Sequence, residues 1–395
     1  MERILARYDN SYLSYVLLYL FYNISFALFS ALISVYLIDK GFAASDVSLV
    51  VSIASLAAML TQPIIGSLTD RFGMRRVNLA LFGLACVAAV TFVATPFFAI
   101  ICGSYALLNL IMNGTNPVVE RMATSSPYGY GKVRMWGTVG FATGTQLSGI
   151  IYDNIAPEAL YITFIFTMLL CILGFWGTNP RLAETEEAQI ADDGDGEPVS
   201  SKGLLTNKMF LYYLVTAALF TAVTSATYSF TPAYLTSLGM EATLASTILS
   251  VAAVCELPLI LFSGKFMDKI PNRILLIVCS ALICLQMAVY GLALPVPIII
   301  VVTFLCKHPP AMLNIMTNMK VVNTIVDPRQ QISGLSLVKA VQMFGSIISV
   351  NVGGRIIDAV GYPGMFLFLL ALIAVELVMV VFYRIPSGND KKLFS

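Results

Sequence analysis

The sequence predicts an all-α membrane protein: twelve transmembrane helices in two pseudo-symmetric six-helix bundles. Three observations predict it. The 395 residues are 58% hydrophobic and only 11% charged, where a soluble domain carries about 25% charged residues, and mean hydropathy is +0.84. The apolar residues fall in runs long enough to cross a bilayer, which takes roughly 20 residues per helix. Finally, the two halves of the chain repeat each other in glycine, acid and base spacing, the pattern of a duplicated architecture.

Taken in order, the predicted spans lie near 12–38, 46–68, 77–94, 97–119, 133–152, 158–177, 209–235, 243–263, 274–293, 298–318, 334–356 and 363–383. The first run is too long for a signal-peptide core and reads as a span. Most connections are short. The exception is 179–208, polar and rich in acids between Glu184 and Glu197, which reads as a flexible linker between an N-terminal half (1–178) and a C-terminal half (209–395). Lys and Arg set the orientation. With the N-terminus inside, the inner connections hold Arg71, Arg75, Arg76, Lys132, Arg181, Lys202, Lys208, Lys265, Lys269, Arg273 and Arg329. The outer ones hold Lys40, with Arg355 at a span end, and carry acids such as Asp39, Asp153, Glu158, Glu241 and Asp358. Both termini and the linker are therefore expected in the cytoplasm of a cell-membrane protein.

The repeat has two parts. Gly66-x3-Asp70-Arg71-x-Gly73-x-Arg75 follows the second span, and Gly264-x3-Asp268-Lys269-x-Pro271-x-Arg273 follows the eighth. In the second part Gly140, Gly149 and Asp153 pair with Gly345, Gly354 and Asp358, a register that also sets Arg134 against Lys339. Two halves with sites between them describe a secondary transporter.

Other classes find little support. A net charge of +1 offers no basic field for nucleic acid. The cysteines at 86, 102, 171, 255, 279, 284 and 306 sit in apolar segments without CxxC or histidine at metal-ligand spacing, so neither metal nor cofactor is expected. HExxH, GxSxG and paired intramembrane aspartates are absent, so the chain does not read as an enzyme.

Ions are costly in hydrocarbon, about 2.5–3.5 kcal/mol each, and a membrane chain keeps them for use. The stretch from Asn113 to Phe141 keeps Glu120, Arg121, Lys132 and Arg134. Arg134, Thr138 and Phe141 stand at i, i+4 and i+7 and share one helix face. A guanidinium, a hydroxyl and a ring there suit a polyhydroxylated or aromatic ligand, the guanidinium by bidentate hydrogen bonding. In the second half Glu256 sits mid-span before Pro258, and Lys307-His308-Pro309-Pro310 interrupts the tenth span. Two adjacent prolines remove helix donors and force a break. Asn23, Tyr228 and Lys339 are further cavity candidates. Arg121 is a candidate partner for Asp70, and Glu376 in the twelfth span is left without a role.

The Gly66–Arg76 run resembles the signature loop of the major facilitator superfamily, G-x-x-x-D-R-x-G-x-x-R, with Arg75 as an extra base. The resemblance implies the major facilitator fold and a gating loop of Gly66, Asp70, Arg71, Gly73 and Arg76, seconded by Arg121, Gly264 and Asp268. The segment N-x-x-x-P-x-V-E with Y-G-K-V-R-M-W-G-T-V-G-F resembles, closely over about 113–149, the group of the lactose permease, nucleoside–proton symporter and phenylpropionate permease. That resemblance implies substrate contacts at Glu120, Arg134, Thr138 and Phe141, and a substrate-binding acid at Glu256. The proton-linked acid of the lactose permease falls about one turn before Glu256, at Ala253; the histidine usual in the group aligns with Lys307, and an acid of the lactose permease with Pro310, so the known proton couple is not intact. The expectation is a monomeric, proton-coupled symporter of a sugar or nucleoside in the lipid bilayer, with Glu256 as proton carrier and His308 as its competitor. An aromatic carboxylate permease using Arg134, Lys307 and Lys339 is the runner-up, followed by a proton-linked drug exporter; a transport-dead receptor is the alternative from another class.

Overall fold

The computed structural model describes residues 10–124, 126–128, 130–178, 206–327 and 330–388. Over these residues all regular structure is helical. In chain order the helices are α1 Tyr12–Ser30, α2 Ile33–Asp39, α3 Ala44–Phe72, α4 Met74–Ala94, α5 Phe98–Thr124, α6 Tyr130–Asn154, α7 Ala159–Trp176, α8 Lys208–Ser237, α9 Ala242–Val254, α10 Leu257–Phe266, α11 Asn272–Gly291, α12 Val296–Cys306, α13 Pro309–Ile325 and α14 Gln331–Phe382. Residues 179–205 of the expected linker lie outside the described part, as does the Asp70 side chain.

Among the described residues ten helical stretches are long and apolar enough to cross a membrane. Two features separate this number from the twelve expected spans. Helix α6 has 25 residues but is not among the ten, because Lys132, Arg134, Thr138, Thr145 and Gln146 dilute its apolar character. Helix α14 runs for 52 residues but breaks inside at Gly361, with φ 80 and ψ 177, a conformation only glycine adopts cheaply. At 1.5 Å per residue such a length is more than twice the roughly 30 Å hydrocarbon core.

The chain packs as two compact units that do not follow chain order. One comprises Met1–Tyr36, Ile53–Gly196 and Met240–Ser250; the other comprises Leu37–Ser52, Glu197–Gly239 and Val251–Ser395. In the first, α1 packs on α6 and α7, and α4 on α5 and α7. Small residues permit this closeness. A Cβ on Gly144 would fall 2.7 Å from Ile24 O, and Gly140 and Gly174 abut the α1 backbone at Leu20 and Leu18. Aromatic rings fill the remaining space, as where Phe92 meets Tyr161 at 4.3 Å between ring centroids. In the second unit α14 packs on α8 and α11, around Tyr234, Tyr290 and Phe366, whose centroids lie 4.9–5.2 Å apart.

Local chemistry sets the helix ends. Gly73 turns the chain from α3 into α4 at φ 87. Gly66 lies inside α3 with open space around it; the conformational demand of the turn falls on Gly73. Arg75 reaches the end of α7, donating to Trp176 O at 2.5 Å with its guanidinium over the indole.

Candidate functional site

In the first unit α1, α5 and α6 bring a polar cluster together. The Arg134 Nε lies 3.2 Å from Glu120 Oε1, and the Tyr19 hydroxyl donates to the other carboxylate oxygen, Oε2, at 2.8 Å. The Asn23 amide donates back to Tyr19 O at 2.8 Å, so its side chain lies along α1 beside the cluster. Arg134 and Glu120 remain 39% and 35% exposed, which leaves the pair accessible. Helix α6 is continuous from Tyr130, so Arg134, Thr138 and Phe141 keep the predicted common face. Thr138 is buried, and Arg134 and Phe141 are half-buried.

Two residues of this cluster were not anticipated. Tyr19 fixes the carboxylate from a third helix; the signal for it was a hydroxyl-bearing ring four residues before Asn23 on one helix face. Gly137 supplies space. A Cβ there would stand 2.8 Å from the Arg134 guanidinium and 3.2 Å from the Asn23 amide. A glycine one turn after an arginine is invisible to motif reading, because its function is to leave room.

In the second unit a cluster forms where two helices are interrupted. Helix α9 ends at Val254 and α10 begins at Leu257, leaving Glu256 at the helix start before Pro258. Helix α12 ends at Cys306 and α13 begins at Pro309, leaving Lys307 and His308 between them. Proline has no N–H to donate, and its ring clashes with the preceding turn, which accounts for both breaks. The breaks bring His308 Nδ1 to 3.9 Å from Glu256 Oε2. The Tyr228 ring stands edge-on to His308, centroids 6.4 Å apart, and the Lys307 ammonium lies 5.0 Å from the centre of the same ring. His308 thus faces both Glu256 and Tyr228. Lys307 is buried to 8% exposure, and its Nζ has no hydrogen-bond partner. Lys339 is exposed on α14.

The loop residues divide. Arg71 lies over its neighbour Phe72 at 5.3 Å, and Arg121 is half-buried near the end of α5. Gly264 lies in α10, and Asp268 is buried just past its end. There the structure shows an unanticipated clamp: the fully buried Lys320 donates to Met267 O and Ile270 O, each at 2.7 Å. It thereby satisfies carbonyls at a helix C-terminus, which otherwise lack donors. Glu376 is buried in α14 with Oε2 unpartnered. Among the described residues no group of His, Cys, Asp and Glu is arranged to hold a metal ion.

A model of the MFS_1 like family matches residues 12–368. An uncharacterized transporter of Bacillus subtilis (strain 168) is 22% identical over 91% of this chain and 90% of its own. A probable 3-phenylpropionic acid transporter of Escherichia coli (strain K12) is 24% identical over 73% of this chain and 76% of its own. Among solved structures, a nucleoside transporter variant superposes with a TM-score of 0.81 at 15% identity, covering 94% of this chain and 100% of that one. A D-xylose–proton symporter gives a TM-score of 0.70 at 13% identity, covering 96% of this chain and 98% of that one. At these identities the likeness to solved structures is one of fold.

Proposed function

As the chain belongs to the MFS_1 like family of major facilitator transporters, we propose that it is a proton-coupled symporter of a small polar organic solute, a sugar or nucleoside, working by alternating access. We read twelve crossings: the ten apolar stretches, α6, and the division of α14 at Gly361 into two. On this reading residues 1–178 and 209–395 are two six-helix halves joined by the linker 179–208, with both termini cytoplasmic, in a monomer of the cell membrane. The loop Gly66–Arg76 and its second copy at Gly264–Arg273 gate the inner side.

The observation that carries the reading is the pairing of Glu256 with His308 at two proline-broken helices. Titratable groups inside a membrane protein mark proton and substrate paths, and broken helices mark transport sites. Glu256 carries the proton and hands it to or takes it from His308. In the first unit Arg134 and Glu120 grip solute hydroxyls or ring nitrogens, Thr138 and Phe141 line the same face, and Asn23 contributes an amide; in the second unit Tyr228 offers a ring beside His308. The likeness to a nucleoside transporter and to a D-xylose–proton symporter supports this class of solute.

A second reading, a permease for aromatic carboxylates, is favoured by the Lys307 Nζ, which is buried without a hydrogen-bond partner beside Tyr228. A carboxylate would pair with it while an aromatic ring stacked nearby. The test reconstitutes the protein in proteoliposomes and applies an inward proton gradient, with radiolabelled sugars, nucleosides and aromatic acids offered separately. The proposal expects accumulation of a neutral solute, abolished by a protonophore. Accumulation of acids alone establishes the second reading; facilitated equilibration that ignores the gradient overturns proton coupling.

A further inference from the structure

Helix α1 carries tyrosines at 12, 15, 19 and 22. Tyr12 and Tyr19 stand seven residues apart, on one face of the helix and about 10 Å apart along its axis. Tyr19 holds one carboxylate oxygen of Glu120, the partner of Arg134. Tyr12 reaches α6. Its hydroxyl donates to Lys132 O at 3.0 Å and accepts from the Trp136 indole Nε1 at 2.9 Å. An α-helix closes each turn from an N–H to the carbonyl four residues back, so Lys132 and Trp136 bound one turn of α6, with Arg134 at its centre. A single hydroxyl thus ties both ends of that turn to α1.

Tyrosine and tryptophan rings at helix ends are common where a membrane meets water, and in that role the rings themselves do the anchoring. Here the polar groups are spent on α6 instead, and Tyr12 is itself held. Its ring packs edge-on against Tyr128, centroids 5.1 Å apart. The chain just before it is pinned by Asn10, which takes the left-handed φ of 58 that asparagine tolerates. Asn10 donates its N–H to Gly177 O at 2.7 Å, and its side-chain and main-chain oxygens accept from the hydroxyls of Tyr15 and Tyr128. The supported helix has need of it. Arg134 lies in the second turn of α6, next to a helix start whose first N–H groups have no partner inside the helix. The space around it is also tight: a Cβ on Gly137 would stand 2.8 Å from the Arg134 guanidinium, 3.2 Å from the Asn23 amide and 3.3 Å from the Tyr19 ring. A small shift of this turn would misplace the guanidinium.

We propose that Tyr12 is a positioning residue for Arg134. Acting through Lys132 O and the Trp136 indole, its hydroxyl fixes the turn that carries the guanidinium, while Tyr19, on the same face of α1, fixes the carboxylate that receives it. One helix face thereby sets both members of the ion pair. The proposal rests on the transport reading only for its use, that the pair so placed meets the solute.

The experiment needs no solute. The purified full chain in detergent is treated with phenylglyoxal, which condenses with guanidinium groups, and the adduct at each arginine is followed by peptide mass spectrometry. Proteins are compared only where size-exclusion profiles match the parent. Tyr12→Phe keeps the ring and removes the hydroxyl; it is expected to raise the modification rate at Arg134 about five-fold, the factor that loss of one hydrogen bond carries. Arg75 in the same unit and Arg273 in the other should keep their parent rates. Trp136→Phe removes the donor to the same hydroxyl and should raise the Arg134 rate as well; it carries the test if Tyr12→Phe does not fold. Glu120→Gln removes the ion pair, and in that background Tyr12→Phe should add nothing, because the hydroxyl acts by bringing the guanidinium to that carboxylate. Trp136 and Trp176 are the two tryptophans of the chain, so in a Trp176→Phe background the emission of Trp136 reads its bond to Tyr12 directly and should shift in Tyr12→Phe. A parent rate at Arg134, an equal rise at Arg75, an effect that survives in the Glu120→Gln background, or unchanged emission overturns the proposal. A chain that behaves as expected here yet neither binds nor accumulates any sugar or nucleoside sinks the transport reading and leaves the positioning standing.

Discussion

Arg134→Lys separates a binding arginine from a structural one. In the structure Arg134 Nε meets one oxygen of Glu120 at 3.2 Å while Tyr19 holds the other at 2.8 Å. The carboxylate is thus held from two sides, and the rest of the guanidinium remains available for a ligand. Both members of the ion pair are more than a third exposed, so solvent screens it and its contribution to stability is about 1 kcal/mol or less. Lysine keeps most of that as a point charge, and the unfolding midpoint in detergent should move by about 4 °C at most. Ligand binding is a different matter. Lysine cannot reproduce the planar fork, and losing one hydrogen bond to a charged group costs about 1.5–3 kcal/mol, roughly ten- to a hundredfold in Kd. The assay is calorimetric titration of parent and variant with the solute found by a thermal-shift screen of sugars, nucleosides and aromatic acids. A variant Kd within about threefold of the parent would refute the reasoning and leave Arg134 as a structural partner of Glu120.

Three further outcomes follow from the geometry. Gly137→Val places a side chain where a Cβ alone would stand 2.8 Å from the Arg134 guanidinium; it should weaken solute binding about tenfold, as loss of one aligned contact does, and unchanged affinity would show that the guanidinium has room elsewhere. Glu256→Gln should abolish uphill, pH-driven uptake while keeping downhill exchange of preloaded solute; if it still accumulates solute and His308→Gln does not, the histidine is the carrier. Lys320→Met leaves two carbonyls at the end of α10 without their donor and should cost about 1–3 kcal/mol of stability, read as a lower midpoint in chemical unfolding; an unchanged midpoint would remove the clamp from the second unit's stability.

Hydropathy is local, so the helices were legible in the sequence. Its weakness showed where chemistry enters a span. Helix α6 lost apolar character to Arg134, Thr138 and their neighbours, whereas the gap expected between 356 and 363 does contain the break at Gly361, inside what is otherwise one helix. The proline breaks were legible for the same local reason: a missing donor is a property of the residue itself. What the breaks bring together was not. The 3.9 Å approach of His308 to Glu256 depends on how α10 and α13 pack, and Lys307 turning its ammonium onto Tyr228 is one of several contacts open to a flexible side chain. Tyr19 and Gly137 were missed because one acts through a hydroxyl among many tyrosines and the other through an absent side chain.

The repeat shows where duplication holds and where it stops. Positions that serve packing kept matching contacts: Gly140 with Gly345, Gly149 with Gly354, Asp153 with Asp358. The register that aligns them also aligns Arg134 with Lys339, and there the correspondence ends. Arg134 is half-buried in an ion pair on a continuous helix, whereas Lys339 is exposed on α14. In the second unit Lys307 is buried at a broken helix. Close backbone approach tolerates almost no variation, since any Cβ at such a glycine meets a carbonyl, so both copies must keep it. A charge needs only a partner within reach, and partners can be supplied from different helices in the two halves. The frame therefore stays symmetric while the chemistry does not: the ionisable pair of the first unit, Glu120 with Arg134, sits on unbroken helices, and that of the second, Glu256 with His308, sits at interruptions. On the proposed reading a carrier gains from this division, because binding and proton movement fall to different pairs.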